Sequence, residues 1–544
     1  MPDLEKPPSK TNASHNGETI STAEGQIQTQ MHENERRMSI RFNLWSTLGL
    51  VYSTTATPIA VGSYLTFSLE LGGSPYYIYC YILAVGLNIV LCTALAEIAA
   101  VYPHPSGHIY WIGKLIPERY VNVLSYWTGA LTSAAWFLWT AGTYLLTAQI
   151  LTAVAMALNP SYTAQQWHIL LISWAQALVA VLWNIPLLKT WPASLKSMVV
   201  ITNAGVLFLA IALLVRTRPK QSAREVFVEI TNNSGWPSDG LVFFLGLLPG
   251  TTAINGFDAA AHMVEEMPDP ARQVPQVMVG NALLSGILGL PMTIIFCFCI
   301  SNRENLLDPV GGVTIIQLFL DSLRSTPLFV LSSLLYILVT IVAGTAVTTT
   351  TSRVLWSFST HHGLPFSAWF LRLSSTSSKA TSASASTPVP ANAILTVATL
   401  SSIVLLLTLG PSFVLGSFFG AANICFYLSY ALTTSAFLYA KWFSPHLITQ
   451  AQPPPRRHRR PFTLGRIMSA VFGIVSVIWC VFASVWLVFP YYLPVTTGNM
   501  NYAVVIVGIV LVVFGVDWVG RARRVYIMPR ECWIEERPRS AEVA

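Results

Sequence analysis

Asp258 lies three residues past Asn255 and two past Gly256 in the otherwise apolar run LLPGTTAINGFDAAAHMV. A carboxylate at the centre of an inserted helix costs about 2.5–3.5 kcal/mol, so it must meet water, a partner or a proton. The chemistry open to it is the uptake and release of a proton. Its other use is to cap a helix that restarts after the Asn-Gly step, because Asp accepts a backbone N–H bond there. Glu97 is the second acid at depth, and an ion pair with Arg272 or Arg353 is expected for it, with a direct proton role as the alternative. Glu265, Glu266, Asp269 and Arg272 follow Asp258 among Pro268, Pro270 and Pro275, which predicts a shaped surface loop of the kind that hinges a gate. Neighbouring acids in a loop lack the geometry of a glycosidase pair, and no zinc, phosphate-loop or serine-nucleophile motif occurs, so no enzyme and no metal site is expected.

The elements that hold these residues are set by composition. With 53% hydrophobic and 10% charged residues over 544 positions, the chain is a membrane protein, since soluble domains carry about 25% charged residues. Twelve apolar spans are predicted, near 44–68, 76–101, 122–152, 166–186, 197–215, 240–263, 276–300, 328–357, 390–409, 411–440, 467–490 and 501–519. With the N-terminus inside, the tails and inner loops hold 25 of the 31 Lys and Arg, which places both tails in the cytoplasm. The basic run RRHRR at 456–460 then reads as an orientation signal against anionic lipid, and neither it nor the net charge of +7 needs a nucleic acid. Six of the seven cysteines fall in apolar runs and Cys532 in the C-terminal tail, so packing is expected of them, not a disulfide framework. The expected organisation is a disordered tail (1–43), a ten-span core (44–440), a basic Pro-rich loop (441–466), two further spans (467–519) and a C-terminal tail (520–544).

Spans one and six are interrupted in matching positions. The first carries Ser53, Thr54, Thr55, Ala56 and Thr57 before Pro58; the sixth carries Pro249-Gly250, then Thr252, Ala253, Asn255, Gly256 and Phe257. Unwinding there exposes backbone N–H and C=O groups, tolerated in a bilayer only where protein or a cavity satisfies them, and such groups bind a small zwitterion or cation. These residues are the candidate substrate contacts. Close packing or kinking of the helices is the plainer use of the same residue types.

The stretch GFDAAAHMVEEMPDPARQVPQ (256–276) resembles the sixth-span segment of the amino acid–polyamine–organocation superfamily, and AEIAAVYPHPSGHIYW (96–111), TSRVLWSFSTHHGLPFSAW (351–369) and TPVPANAI (387–394) resemble further signatures of it. YSTTATPIAVGSYL with GGSP is most similar to the fungal choline, GABA and amino acid permease branch. The resemblance implies an all-α membrane fold of LeuT type. Spans one to five and six to ten would be inverted repeats, helices one and six broken at the substrate, and two helices added. It also implies a proton as coupling ion, a part for Asp258 in proton-linked gating, and no cofactor. The remaining lining would come from spans three, eight and ten, with Tyr126, Trp136, Trp139, Thr345 and Thr348 as candidates. An aromatic face suits an ammonium group through cation–π attraction, although tryptophan also anchors helices at interfaces. His361-His362 stand where relatives carry Ala-Arg-Asp, so the charge pairing used there is not expected here.

The expected function is therefore a permease for amino acids, GABA or choline-like amines, coupled to protons. Its partners are the small-molecule substrate and lipid, and its location the plasma membrane, with a vacuolar or other internal membrane as alternative. A nutrient sensor on the same scaffold and a facilitative exchanger stay open as other readings.

Overall fold

The computed structural model describes residues 42–187, 190–375, 388–410, 414–445, 448 and 462–528. Expectations for residues 1–41 of the N-terminal tail, most of the basic Pro-rich loop, and the C-terminal tail beyond Met528, with Cys532, fall outside the described residues. Within them the regular structure is helical, apart from a two-residue antiparallel pairing of Ser374–Ser375 with Pro388–Val389 and a single bridge between Leu71 and Asn232.

The first apolar stretch is not one helix. It is α1 (Leu44–Thr55), a break at Ala56, α2 (Thr57–Ala60), and two further short helical pieces to Glu70. After it come α3 (Gly73–Val101), α4 (His108–Leu115), α5 (Glu118–Leu158), α6 (Gln166–Asn184) and α7 (Trp191–Arg216). The sixth stretch comprises α8 (Asp239–Leu245), α9 (Leu248–Ile254) and a ten-residue 3-10 segment, Phe257–Glu266. Then follow α10 (Pro270–Phe298), α11 (Thr314–Leu323), α12 (Thr326–Thr360), α13 (Ala391–Val404), α14 (Val414–Phe443), α15 (Arg466–Trp486) and α16 (Ala503–Asp517). Eleven helical stretches among the described residues are long and apolar enough to cross a membrane. The first falls outside that number because its break leaves no continuous helix of sufficient length.

Loop contacts sort the bundle into two ends. At one, Phe42 donates its N–H to Glu266 O, Ser106 meets His361, and Ile527 N–H donates to His361 O. At the other, Asn233 N–H donates to Glu70 O, Leu493 N–H to Ser234 O, and the Arg303 guanidinium to Leu69 O. The loops that the basic-residue count assigns to the inner side thus gather at one end, here called the inner end. The core is built around α5, which packs on α14, α12 and α6. α16 sits at the margin and turns Val504, Val505, Ile509, Val512, Val513 and Val516 outward, an aliphatic face suited to lipid.

Two expectations about proline change. Pro249 lies in the first turn of α9, where its missing N–H has no helical partner in any case, and the chain interrupts before it, at Gly246–Leu247. Likewise Pro270 starts α10 and Pro275 lies inside that helix, so the loop after the sixth span is only Met267–Asp269. The prolines shape a helix start and not a long loop.

Candidate functional site

Both breaks are local consequences of sequence. α1 begins on a capping box in which Asn43 Oδ1 accepts from Ser46 N–H and Ser46 Oγ accepts from Asn43 N–H. It ends where Ala56 takes φ 43°, ψ 36°. A non-glycine residue in this left-handed region costs about 1–2 kcal/mol, held here by the packing around it. In the sixth stretch Asn255 is extended (φ −60°, ψ 159°) and Gly256 left-handed (φ 88°), and the chain restarts as 3-10 helix. Ala253, in the last turn of α9, keeps a carbonyl that its own helix cannot satisfy across the break. Thr57 Oγ1 donates to it at 2.5 Å and so joins the two interruptions.

Between the breaks lies a cavity of about 40 Å³, lined by Thr54, Thr55, Ala56, Ile59, Ala60, Tyr64, Trp139, Thr143, Leu146, Thr252, Ala253, Val339, Thr340, Ala343 and Phe419. No charged side chain lines it. The hydroxyls of Thr54, Thr143 and Thr252 donate to carbonyls one turn back in their own helices, so each oxygen faces its surroundings as an acceptor, that of Thr252 already toward Asn423. Phe419 stands edge-on to both Tyr64 and Trp139, with centroids 6.1 and 5.6 Å away. Asn423, one turn on from Phe419, donates to Thr252 Oγ1 at 2.8 Å and accepts from Asn255 Nδ2, which fixes the cavity's edge against α14.

Toward the inner end the cavity is closed by rings. Trp139 and Trp136 each meet Phe426 edge-on, Phe426 stacks on Tyr430, and Tyr430 stacks on Phe257. Below this layer lies Asp258, fully buried. Its Oδ1 accepts from Tyr430 OH at 2.9 Å and its Oδ2 from Trp136 Nε1 at 3.2 Å; His262 Nε2 lies 3.4 Å and His108 Nδ1 3.8 Å from Oδ2. Further inward Arg353 Nε donates to Glu266 Oε1 at 3.0 Å, a pair with both side chains 1% exposed.

Residues 42–512 match the family described as amino acid permease. The chain belongs to that family. Among its relatives, the choline transporter of Saccharomyces cerevisiae is 27% identical over 478 residues, 88% of this chain and 80% of that one. Amino-acid permease 2 of Neurospora crassa is 25% identical, covering 90% of this chain and 86% of its own. The 7-keto 8-aminopelargonic acid transporter of Saccharomyces cerevisiae is 24% identical, with 89% and 92% covered. The chain is thus a multi-pass membrane permease and not an enzyme, and its substrate is a small molecule.

The permease brings together many of the residues expected from sequence. Thr54, Thr55, Ala56, Thr252, Ala253 and Trp139 line the cavity; Thr57, Asn255, Gly256 and Phe257 form its supporting break; and Ser53 is buried beside them with no hydrogen bond to its Oγ. Three expected site residues lie elsewhere. Tyr126 is 13 residues before Trp139 on α5, about 20 Å at 1.5 Å per residue. Its hydroxyl donates to Asp517 Oδ2 at 2.8 Å, at the inner end. Thr345 and Thr348 lie on the far side of α12 from the cavity face of Val339, Thr340 and Ala343. Asn184 of α6 donates to Thr345 O, and Tyr144 OH lies 2.5 Å from Thr348 Oγ1.

The acids also sort differently. Asp258 takes its hydrogen bonds from the side chains of α5 and α14, so it does not cap the restarting helix; Gly256 occupies the cap position. Glu97 pairs with neither Arg272 nor Arg353. Its Oε1 lies 3.8 Å from Lys441 Nζ and accepts from Leu464 N–H, while Arg353 belongs to Glu266, so Glu97 ties α14 to the entry of α15. Glu265 and Glu266 are buried, whereas Asp269 and Arg272 are exposed. His361 accepts or donates at Ser106 Oγ across 2.8 Å and is buried, and burial followed by its neighbour His362 pushes its pKa down to about 3.

Sequence reasoning missed Tyr64, Thr143, Phe419 and Asn423 at the cavity, and His108, His262 and Tyr430 at the aspartate. His262 had a usable signal, four residues past Asp258. The donor atoms of His108, Asp258 and His262 lie within 4.8 Å of one another. That is wider than a zinc tetrahedron, whose ligand atoms stand about 3.4 Å apart, and Trp136 and Tyr430 already occupy the carboxylate. Two hydrogen-bond donors, Trp136 and Tyr430, and two histidines at longer distance surround one acid.

Proposed function

We propose that this permease moves an amino acid or a choline-like amine across the membrane by alternating access, with a proton as the coupling ion and both chain termini in the cytoplasm. The observation that carries the reading is the pair of broken helices, bonded through Thr57 and Ala253, beside a cavity of hydroxyls and aromatic faces without a charged side chain. An ammonium group in such a site is met by threonine oxygens and by the rings of Tyr64, Trp139 and Phe419, a cation–π attraction of about 2 kcal/mol when desolvated. The relatives named for choline and for amino acid transport lie in this substrate class. Asp258, set one aromatic layer inward of the cavity, is the coupling acid in this reading, and Glu97 is a structural partner of Lys441. The plasma membrane is the expected location.

The experiment is uptake of labelled choline, GABA, ethanolamine, polyamines and a panel of amino acids in transport-deficient cells, with accumulation ratios at several external pH values. At least one substrate should accumulate, more at acid pH. Asp258→Asn should reach the surface, lose accumulation and keep exchange. Uptake of none of these compounds by surface-localised protein overturns the substrate class; wild-type pH dependence in Asp258→Asn removes the aspartate from coupling.

A further inference from the structure

The hydrogen bonds around His262 fix more than its position. Its Nδ1 lies 3.3 Å from Pro105 O, and a carbonyl oxygen can only accept, so Nδ1 carries a hydrogen. In a neutral imidazole Nε2 would then present a lone pair to Asp258 Oδ2, 3.4 Å away, and two acceptors would face each other without solvent. The contact is attractive only when a proton lies between them, held as imidazolium–carboxylate or as imidazole–carboxylic acid. His108 faces the same oxygen from α4, with Nδ1 at 3.8 Å, 0% exposure, and neither ring nitrogen hydrogen-bonded. A buried polar atom without a partner costs about 1–3 kcal/mol, and the Asp258 carboxyl is the proton-exchanging group nearest to Nδ1.

We infer that Asp258 and His262 share the transported proton and that His108 is the group that receives it on the way to the inner face. This rests on the proton-coupled reading and adds the second carrier to it. The proton leaves the Asp258–His262 pair for His108 Nδ1, leaving an ionised carboxylate and a neutral His262. His108, then an imidazolium, releases the Nδ1 proton to inner water once the inner end opens, and returns to the neutral ring with its hydrogen on Nε2, ready to accept again. Nothing is oxidised and no bond other than N–H and O–H changes.

The neighbours are consistent with a single movable charge. The groups facing Asp258 are Cys92 of α3, Trp136 of α5, Tyr430 of α14 and the two histidines; Tyr427 lies behind Tyr430, and no Lys or Arg pairs with Asp258 among the described residues. α12 contributes Arg353, which is engaged with Glu266 further along the 3-10 segment. Asp258 is therefore neutralised by a proton, held on its own carboxyl or on a histidine beside it. His108 has the position of a relay, because α4 follows the inner loop that also carries Pro105 and Ser106, the latter bonded to His361.

The test compares wild type, His108→Gln and His262→Gln for concentrative uptake, substrate-induced proton influx and counterflow exchange in reconstituted vesicles. Wild-type uptake without proton influx overturns the coupled reading itself. With proton influx present, His108→Gln should keep exchange within twofold while accumulation and proton influx each fall at least tenfold. Undiminished accumulation and influx in His108→Gln overturn the relay. Should that variant not insert, nitrogen NMR of the histidines in the wild-type protein decides: His262 should carry its hydrogen on Nδ1, facing Pro105 O. An independent, Nε2-protonated His262 overturns the shared proton.

Discussion

Thr57 donates its hydroxyl hydrogen to the carbonyl oxygen of Ala253, so the first residue beyond the break in one helix satisfies the last turn before the break in the other. The two interruptions are therefore one structure. Thr57→Val removes the donor at nearly constant volume and leaves a buried carbonyl unpaired, at a cost of about 1–3 kcal/mol. Uptake should fall about five- to twentyfold with normal surface expression, and Thr57→Ser should restore most of it. Equal uptake by the valine variant would show that the breaks hold without this bond.

Gly256 needs its left-handed backbone, and a Cβ there would stand 3.2 Å from Trp136 Cη2 and 3.6 Å from Thr54 Cγ2. Gly256→Ala should lower thermal stability by about 1–2 kcal/mol from backbone strain alone. Gly256→Leu should abolish uptake while the protein still inserts. The readouts are thermal unfolding in detergent for the first variant and uptake against surface labelling for the second.

Glu266 and Arg353 close the inner end as a buried pair, with the Phe42 N–H on Glu266 O extending the tie to α1. Removing one partner strands the other charge, a loss of about 3–5 kcal/mol. Glu266→Gln or Arg353→Gln alone should lower the unfolding temperature and raise modification of a cysteine introduced near the inner end of the cavity. The double variant should recover a good part of both, and a double variant no better than the singles would argue against a mutual pair.

His361 gives the fold an acid limit. Its pKa of about 3 in the folded protein lies below the usual 6.5, so the unfolded chain binds the extra proton between these values. The contribution to stability is complete above pH 6.5 and is lost as pH falls toward 3. Between pH 7.5 and pH 5 this amounts to about 2 kcal/mol. His104, also pushed down by burial and then by His361, acts in the same direction. His361→Gln should flatten the fall of unfolding temperature between these pH values; an unchanged slope would mean that the ring is protonated when folded.

The second unwinding was legible because Gly and Asn are punctuation at the level of single residues, the first fell within the Ser/Thr run just before Pro58, and the cavity's debt to Thr54, Thr55, Thr252 and Ala253 was legible with them. Partners were not. Tyr126 and Trp139 share a helix and a residue class, yet their depth differs by about 20 Å, which only the registration of α5 against its neighbours decides. Glu97 had several cations in range on paper, and the one it meets, Lys441, lies at the end of α14, more than 300 residues away in sequence. The cavity face of α12 is equally a matter of rotation. Thr345 is two residues from Ala343, which on a helix turns it about 200° away.

The ten residues from Phe257 to Glu266 are 3-10 helix, a run well beyond the usual three or four. At about 2.0 Å per residue they extend about 20 Å, whereas the same ten residues in α geometry would extend about 15 Å. Length is thus held in hydrogen-bond register. A change of register alone, with every covalent link intact, alters the distance between Gly256 at the cavity and Glu266 at the inner end by about one helical turn. The reach of the segment is set by how tightly it is wound.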